Sequence, residues 1–288
     1  MRKKLFKKVE PVLYLLPALF FIIFFTYYPF VNTIVKSFFL TNSMGKIREF
    51  VGFENFVRIV HNKEFQASVA NTFKYVFTSV PFSIIVALVL ALISAGNKRL
   101  SPVYETMYAL PMAMSTSVCA MIFQLIYNPS LGILNAFLGT KISWIKDDRT
   151  ALYAISFISA WMNTGFNFLF LLAAVRSVPA ELIECAEIEG AGFLRKTQKI
   201  ILPIISPTLF FLIVNSLARA MMMSGLVIIL TSGGRQSSAS TMISYMYSQA
   251  VLAQNYNNGY ATAIIAFLIT FVLLVISFSF EKRTVNYD

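Results

Sequence analysis

The chain has 288 residues, of which 57% are hydrophobic and only 13% charged, and it carries a net charge of +11. Its mean hydropathy is +0.70, whereas a soluble chain carries about 25% charged residues, so a water-soluble globule is excluded. The two cysteines, Cys119 and Cys185, fall in a hydrophobic block and a charged block, which rules out a disulfide framework.

Hydrophobic residues gather into six blocks, at about 12–35, 69–95, 103–127, 151–175, 204–230 and 258–280. Each reaches the length of about 20 residues that a helix needs to cross the hydrocarbon core. No ten-residue units alternate with period two, which argues against a membrane β-barrel. The expectation is an all-α polytopic membrane protein, a single domain over 1–288 with six transmembrane helices.

The chain opens on "MRKKLFKK", and the apolar run that follows is too long for a cleaved leader and lacks a small-residue cleavage site. It reads as a retained first span. With six spans, this start, "NKR" at 97–99, the insert 176–203 and "EKR" at 281–283 share one side of the membrane. That side holds 13 Lys and Arg in about 54 residues, against 9 in about 83 on the other. The positive-inside bias makes the denser side cytoplasmic, both termini included. Topology accounts for the basic charge, and nucleic acid is not expected as a partner.

Residues 36–68 form the longest external segment, read as a folded cap with a short amphipathic helix around Asn55–Val60. The segment 128–150 begins "NPSLGILNAFL" and suggests an interfacial helix. The last external segment, "TSGGRQSSASTMISYMYSQAVLAQNYNNGY" at 231–260, is polar, aromatic and nearly uncharged, which suits either solvent or contact with protein or carbohydrate.

Inside the spans, polar residues mark a candidate solute path: Asn163, Thr164 and Asn167 in the fourth, with Trp161 beside them, and Asn215, Ser216 and Arg219 in the fifth. Asn163 and Asn167 share a helix face, as do Asn215 and Arg219. A charge at the bilayer centre costs about 2.5–3.5 kcal/mol on insertion scales, so Arg219 is expected to face the bundle interior or a wet cavity. The plain alternative for the polar groups is helix-to-helix bonding. His61 is the single histidine and has no metal partners at useful spacing, and GxSxG and HExxH are absent. An enzyme is therefore not expected. An ion-coupled secondary transporter is the rival reading, but it calls for intramembrane acids or broken helices, and the spans are nearly free of acids.

The insert "PAELIECAEIEGAGFLRKTQKIILP" at 179–203 is the least membrane-like stretch between two spans. Pro179 suits a first helical turn, and Glu181, Glu184 and Glu187 lie toward the positive end of that helix. Leu182, Ala186 and Gly190 share a face, with Cys185 alongside. Gly190 and Gly192 are expected at positive φ, ending the helix. A second short helix carries Arg195, Lys196 and Lys199 before Leu202 and Pro203 return the chain to the membrane. A charged connector needs no such elbow; a docking knob for a cytoplasmic partner does.

The insert resembles the EAA loop of binding-protein-dependent ABC importer permeases. Glu184-Cys185-Ala186, Glu189-Gly190-Ala191 and Ile200-Ile201-Leu202-Pro203 stand at that spacing, with Cys185 for alanine and Glu189 for aspartate. "VGFENF" at 51–56, "NTFKYV" at 71–76, "LPMAMSTSV" at 110–118, "NPSLGILN" at 128–135, and "TSGG" with "GYATA" near the end look like further segments of the sugar-transporting branch. Arg235 replaces the usual proline after the paired glycines.

The resemblance implies a type I importer permease fold in a bacterial cell membrane. It implies a second homologous permease subunit, two ATPase subunits that hold ATP and Mg, an extracellular solute-binding protein and a carbohydrate substrate, with membrane lipid around the spans. No cofactor is expected on this chain. Glu181, Leu182, Glu184, Cys185, Ala186, Glu189, Gly190, Ala191, Leu202 and Pro203 would contact the ATPase. Gly233, Gly234, Ser240, Thr241 and Tyr245 would contact the binding protein.

Overall fold

Five helices of the computed structural model, which describes residues 14–96, 101–231 and 238–284, are long and apolar enough to cross a membrane. They are Tyr14–Ser37 (α1), Lys63–Ser94, Ala151–Arg176, Ser206–Leu230 and Tyr256–Glu281. The expected third span, 103–127, is not a straight crossing. It is a pair of helices, Ser101–Ala113 and Thr116–Ile126, bent by 101° at Met114 and Ser115. Pro111 sits in the tight last turn of the first helix, and Ser115 caps the second by accepting a hydrogen bond from the Val118 N–H at 3.3 Å.

After α1 the chain forms a hairpin, Phe39–Thr41 (β1) and Ile47–Phe50 (β2), paired antiparallel with a register shift between Leu40 and Thr41. The amphipathic helix expected at Asn55–Val60 is present as Glu54–Val60 (α2). Its Asn55 is buried and donates to the carbonyls of Ser37 and Phe39, both at 3.0 Å, fastening helix to hairpin. Asn257 ties the hairpin to the last span, its Oδ1 accepting from the Thr41 N–H at 2.7 Å and the Thr41 hydroxyl at 2.8 Å.

The second span, Lys63–Ser94 (α3), starts earlier than its hydropathy suggests because Asn62 caps it, accepting from the N–H groups of Glu64 and Phe65 at 2.8 and 3.1 Å. One face carries Ser79, Ser83, Ala87 and Ala91 at four-residue spacing, all buried. This stripe of small residues lets the backbone of a neighbouring helix come close. The neighbour is Ala151–Arg176, and the two run parallel: Asn167 Nδ2 donates to Ser83 Oγ at 3.2 Å, and Arg176 donates to the Ser94 carbonyl at 3.3 Å. Phe168, Leu171, Leu172 and Val175 pack against Ala87 and Ala91 in the core between them.

In order, the bent pair is α4 (Ser101–Ala113) and α5 (Thr116–Ile126), the short loop helix α6 (Ile133–Leu138), and the fourth span α7 (Ala151–Arg176). The fifth span is also interrupted, as Ser206–Met221 (α8) and Gly225–Leu230 (α9), separated at residues 222–224. The short helix Met242–Tyr247 (α10) precedes the last helix, Tyr256–Thr284 (α11).

Candidate functional site

Two places hold the chemistry, an elbow between α7 and α8 and a cavity where the two broken spans meet. The elbow's first arm is Ala180–Ile188, with Pro179 at its N-cap and Glu181 in its first turn. It ends on Gly190 at φ +75°. The Ala191 N–H donates to the Ala186 carbonyl at 2.8 Å and the Gly190 N–H to the Glu187 carbonyl at 3.0 Å, a Schellman closure that saturates the last turn. Gly192 differs from expectation: at φ −70° and ψ 168° it is extended backbone that caps the next helical run, 193–204. The left-handed turn needs one glycine, and Gly190 supplies it. Lys196 pairs with Glu187 across the corner and braces one arm on the other.

The outward face of the elbow also differs from the pattern. Of the stripe Leu182–Ala186–Gly190, Ala186 is buried at the Schellman corner while Leu182 and Gly190 are exposed. Ile188, Phe193 and Leu194 stand exposed as well, Ile188 at 87% and Leu194 at 72%. Glu184, Cys185 and Glu189 are exposed beside them, and Ala191 is half-buried. Leu202 and Pro203 are half-buried at the return to the membrane, where the Ser206 hydroxyl donates to the Pro203 carbonyl at 2.7 Å.

The cavity has a volume of about 390 Å³. Met112, Met114 and Thr116 line it from the break in the third span, and Met222, Met223 and Ser224 from the break in the fifth. The breaks touch, since a Cβ added at Gly225 would lie 3.3 Å from Thr116 Cγ2. The fourth span contributes Ser159, Met162, Asn163 and Phe166, and the C-terminal end of α8 contributes Arg219. The Arg219 guanidinium lies 5.6 Å from the centre of the Phe166 ring. Asn163 Nδ2 donates to the Ser159 carbonyl at 2.9 Å and hydroxyl at 3.3 Å.

Of the residues expected on a solute path, Asn163 and Arg219 share this cavity and the others do not. Thr164 turns its hydroxyl back to the Ala160 carbonyl at 2.8 Å. Asn167 is buried against Ser83, and its Oδ1 has no partner. Trp161 meets Phe123 edge-on at 5.6 Å and with Thr164 lines a smaller pocket beside Tyr108. Asn215 and Ser216 are half-buried elsewhere on α8. The lining residues Met112, Met114, Met222 and Met223 give no signal in the sequence, where methionine reads as span filler; Ser115 before Thr116 and Ser224 before Gly225 were the available break signals.

The expected binding-protein contacts need correction. Gly233 and Gly234 lie outside the described residues. Ser240, Thr241 and Tyr245 are interior groups, 5%, 0% and 3% exposed. Thr241 donates to the Met223 carbonyl at 2.7 Å, Asn71 donates to the Ser240 carbonyl at 3.2 Å, and the Met242 N–H donates to the Thr72 hydroxyl at 2.9 Å. Residues 240–242 therefore clamp the fifth-span break to α3 and present nothing to an outside partner. Burial, with the Glu64 charge adding to it, pushes the Tyr245 hydroxyl above its ordinary pKa, and that hydroxyl has no partner.

An apolar helical bundle with an acidic, glycine-turned elbow on one loop and a polar cavity at two broken spans defines a multi-pass membrane permease. The chain belongs to the family described as binding-protein-dependent transport system inner membrane component, which matches residues 79–284. It is 32% identical over 282 residues to the sn-glycerol-3-phosphate transport system permease protein UgpA of Pectobacterium atrosepticum, covering 96% of each chain. To the probable ABC transporter permease protein YurN of Bacillus subtilis it is 28% identical over 283 residues, covering 96% of this chain and 97% of the relative. Its fold superposes with a TM-score of 0.87 on a bacterial ABC transporter involved in the import of the acidic polysaccharide alginate, at 22% identity, covering 98% of this chain and 100% of the other. Nothing in these likenesses supports an ion-coupled carrier.

Proposed function

We propose that the chain is one permease subunit of an ATP-driven importer that takes up a carbohydrate or sugar derivative handed over by an extracellular solute-binding protein. A second permease subunit completes the path, and two separate ATPase subunits holding ATP and Mg bind the elbows. Both termini and the elbow face the cytoplasm. Similarity to a glycerol-phosphate permease over nearly the whole chain supports the substrate class, and an alginate transporter solved with a pentasaccharide-bound periplasmic protein supports delivery by a binding protein.

The observation that carries the reading is the elbow. Ile188, Phe193 and Leu194 are large apolar groups held out by the saturated Gly190 turn, with Glu184 and Glu189 beside them. A cluster of large exposed apolar groups marks an interaction site, and an ATPase cleft with apolar walls and basic or amide rims would cover it. Closure of the two ATPases would then push the elbows together and rock the spans between inward-open and outward-open states.

Glu184→Lys reverses a charge at the edge of this surface, and Gly190→Asp puts a Cβ where φ is +75°. Each variant is expected to assemble in the membrane, yet solute-stimulated ATP hydrolysis and uptake should both fall at least tenfold. Measured stimulation equal to wild type in both variants would sink the coupling role.

A further inference from the structure

The cavity at the two span breaks carries a single full charge. Arg219 is the cation, and no residue lining the cavity is acidic. The ion pairs Arg58–Glu54, Arg176–Glu105 and Lys196–Glu187 do not involve Arg219. Its aromatic neighbour is the Phe166 ring, which attracts a cation by its face and offers no hydrogen-bond acceptor in the guanidinium plane. Arg219 lies in the last turn of α8, where the helix dipole tolerates a cation. That favourable position still leaves the five N–H donors of the fork without an anion. An arginine inside a span is ordinarily paired or used, and among the described residues no acid pairs with it.

The rest of the lining is neutral and suited to hydroxyl groups. Asn163 spends its amide N–H on Ser159, so its Oδ1 is open to accept. Thr116 and Ser224 bring hydroxyls from the two breaks, and Thr116 opens an 11-residue helix whose positive end faces the same space. Five methionines supply walls that adapt to different shapes. A volume of about 390 Å³ lies within the range of about 300–1,000 Å³ for small-molecule sites.

We propose that this cavity admits an anionic polyol or saccharide, one bearing a carboxylate or phosphate, with Arg219 gripping the acid group and Asn163, Thr116 and Ser224 meeting its hydroxyls. The inference rests on the importer reading above and narrows its substrate class from carbohydrate in general to acidic carbohydrate. Arginine matches carboxylate and phosphate geometry bidentately, whereas lysine binds phosphate as a point charge.

The test uses the whole importer, both permease subunits with ATPase and binding protein, in proteoliposomes. They are given an equimolar mixture of galacturonate, digalacturonate and sn-glycerol 3-phosphate with neutral galactose, lactose and glycerol, and accumulation is read by mass spectrometry with and without ATP. The expected result is ATP-dependent accumulation of an acid at least tenfold above the neutral solutes, lost at least tenfold in Arg219→Gln. Arg219→Lys separates the two acids: it keeps most phosphate-ester uptake and loses most carboxylate uptake, and it supplies the answer if Arg219→Gln does not assemble. Neutral solutes accumulating as well as the acids, or acid uptake unchanged in both variants, would overturn the inference and leave the importer reading standing. The inference also falls if Arg219→Gln loosens the second permease subunit while the importer that still assembles keeps its charge preference, since Arg219 would then pair with that subunit. Steady ATP hydrolysis with no solute accumulated counts against the importer reading itself.

Discussion

Asn135 is a side-chain hub of the loop between α5 and α7. Its Nδ2 donates to the carbonyls of Ile142 at 2.8 Å and Asn128 at 3.3 Å, and its Oδ1 accepts from Trp144 Nε1 at 2.9 Å and the Thr140 hydroxyl at 3.0 Å. The side chain is buried, so its removal strands donors and acceptors away from water. Each such orphan costs about 1–3 kcal/mol. Asn135→Ala should therefore lower the Tm of the purified complex by several degrees and speed tryptic cleavage at Lys141 and Lys146. Asn135→Asp keeps the acceptor, loses the donors and should fall between. Wild-type cleavage rates in both variants would show that the loop is held some other way. The sequence pattern announced a short helix here and the structure contains one, Ile133–Leu138, but the hub stayed hidden because Ile142 and Trp144 meet Asn135 only once the loop has folded. Gly190 is the opposite case: a glycine closing an apolar-charged helix forecasts a left-handed turn, and one glycine of the pair takes it.

At the scale of elements, hydropathy located the spans and said nothing of their breaks. Blocks 103–127 and 204–230 are apolar throughout, so a count of hydrophobic residues draws straight helices through both. The breaks fall where local chemistry competes with the helix, at Pro111 and Ser115 in one and at Ser224 and Gly225 in the other. Tertiary packing selects them: Gly165 on α7 leaves room for the tight turn ending α4, and a Cβ there would lie 2.9 Å from the Ala109 carbonyl oxygen and 3.2 Å from the Met112 nitrogen. Both contacts are backbone, which cannot swing aside. Gly165→Ala should thus destabilise the complex by about 1–3 kcal/mol, the usual cost of overpacking, and Gly165→Val by more, read as graded losses of Tm. A Gly165→Val complex as stable as wild type would mean that α4 is free to shift. The charged elbow was more legible than the breaks because water-facing helices show their ends in sequence, whereas helices in an apolar setting are cut by neighbours.

Across the whole molecule, the elbow and the cavity are joined by α7. It carries Ser159, Asn163 and Phe166 at the cavity and ends at Arg176, three residues before the N-cap of the elbow helix. At about 1.5 Å per residue, Asn163 and Arg176 are roughly 20 Å apart along one helix. Arg176 binds both oxygens of Glu105, at 2.6 and 3.2 Å, and the Ser94 carbonyl at 3.3 Å, while Ser101 donates to the same Glu105 at 2.5 Å. The ends of α3, α4 and α7 are thereby fastened at one point next to the elbow. A half-exposed ion pair adds little stability, so under the proposed function its consequence would be mechanical: it would make three helices answer together to a push on the elbow. Cutting it with Arg176→Met should leave assembly and Tm close to wild type. The push would then be spent partly in residues 177–179, and the ATP hydrolysed per solute imported should rise severalfold. Glu105→Gln should do the same, and the double variant should be no worse than either single one, because both remove the same fastening. Simultaneous measurement of uptake and ATP hydrolysis in proteoliposomes decides it, and effects that add in the double variant would show that the two residues act separately.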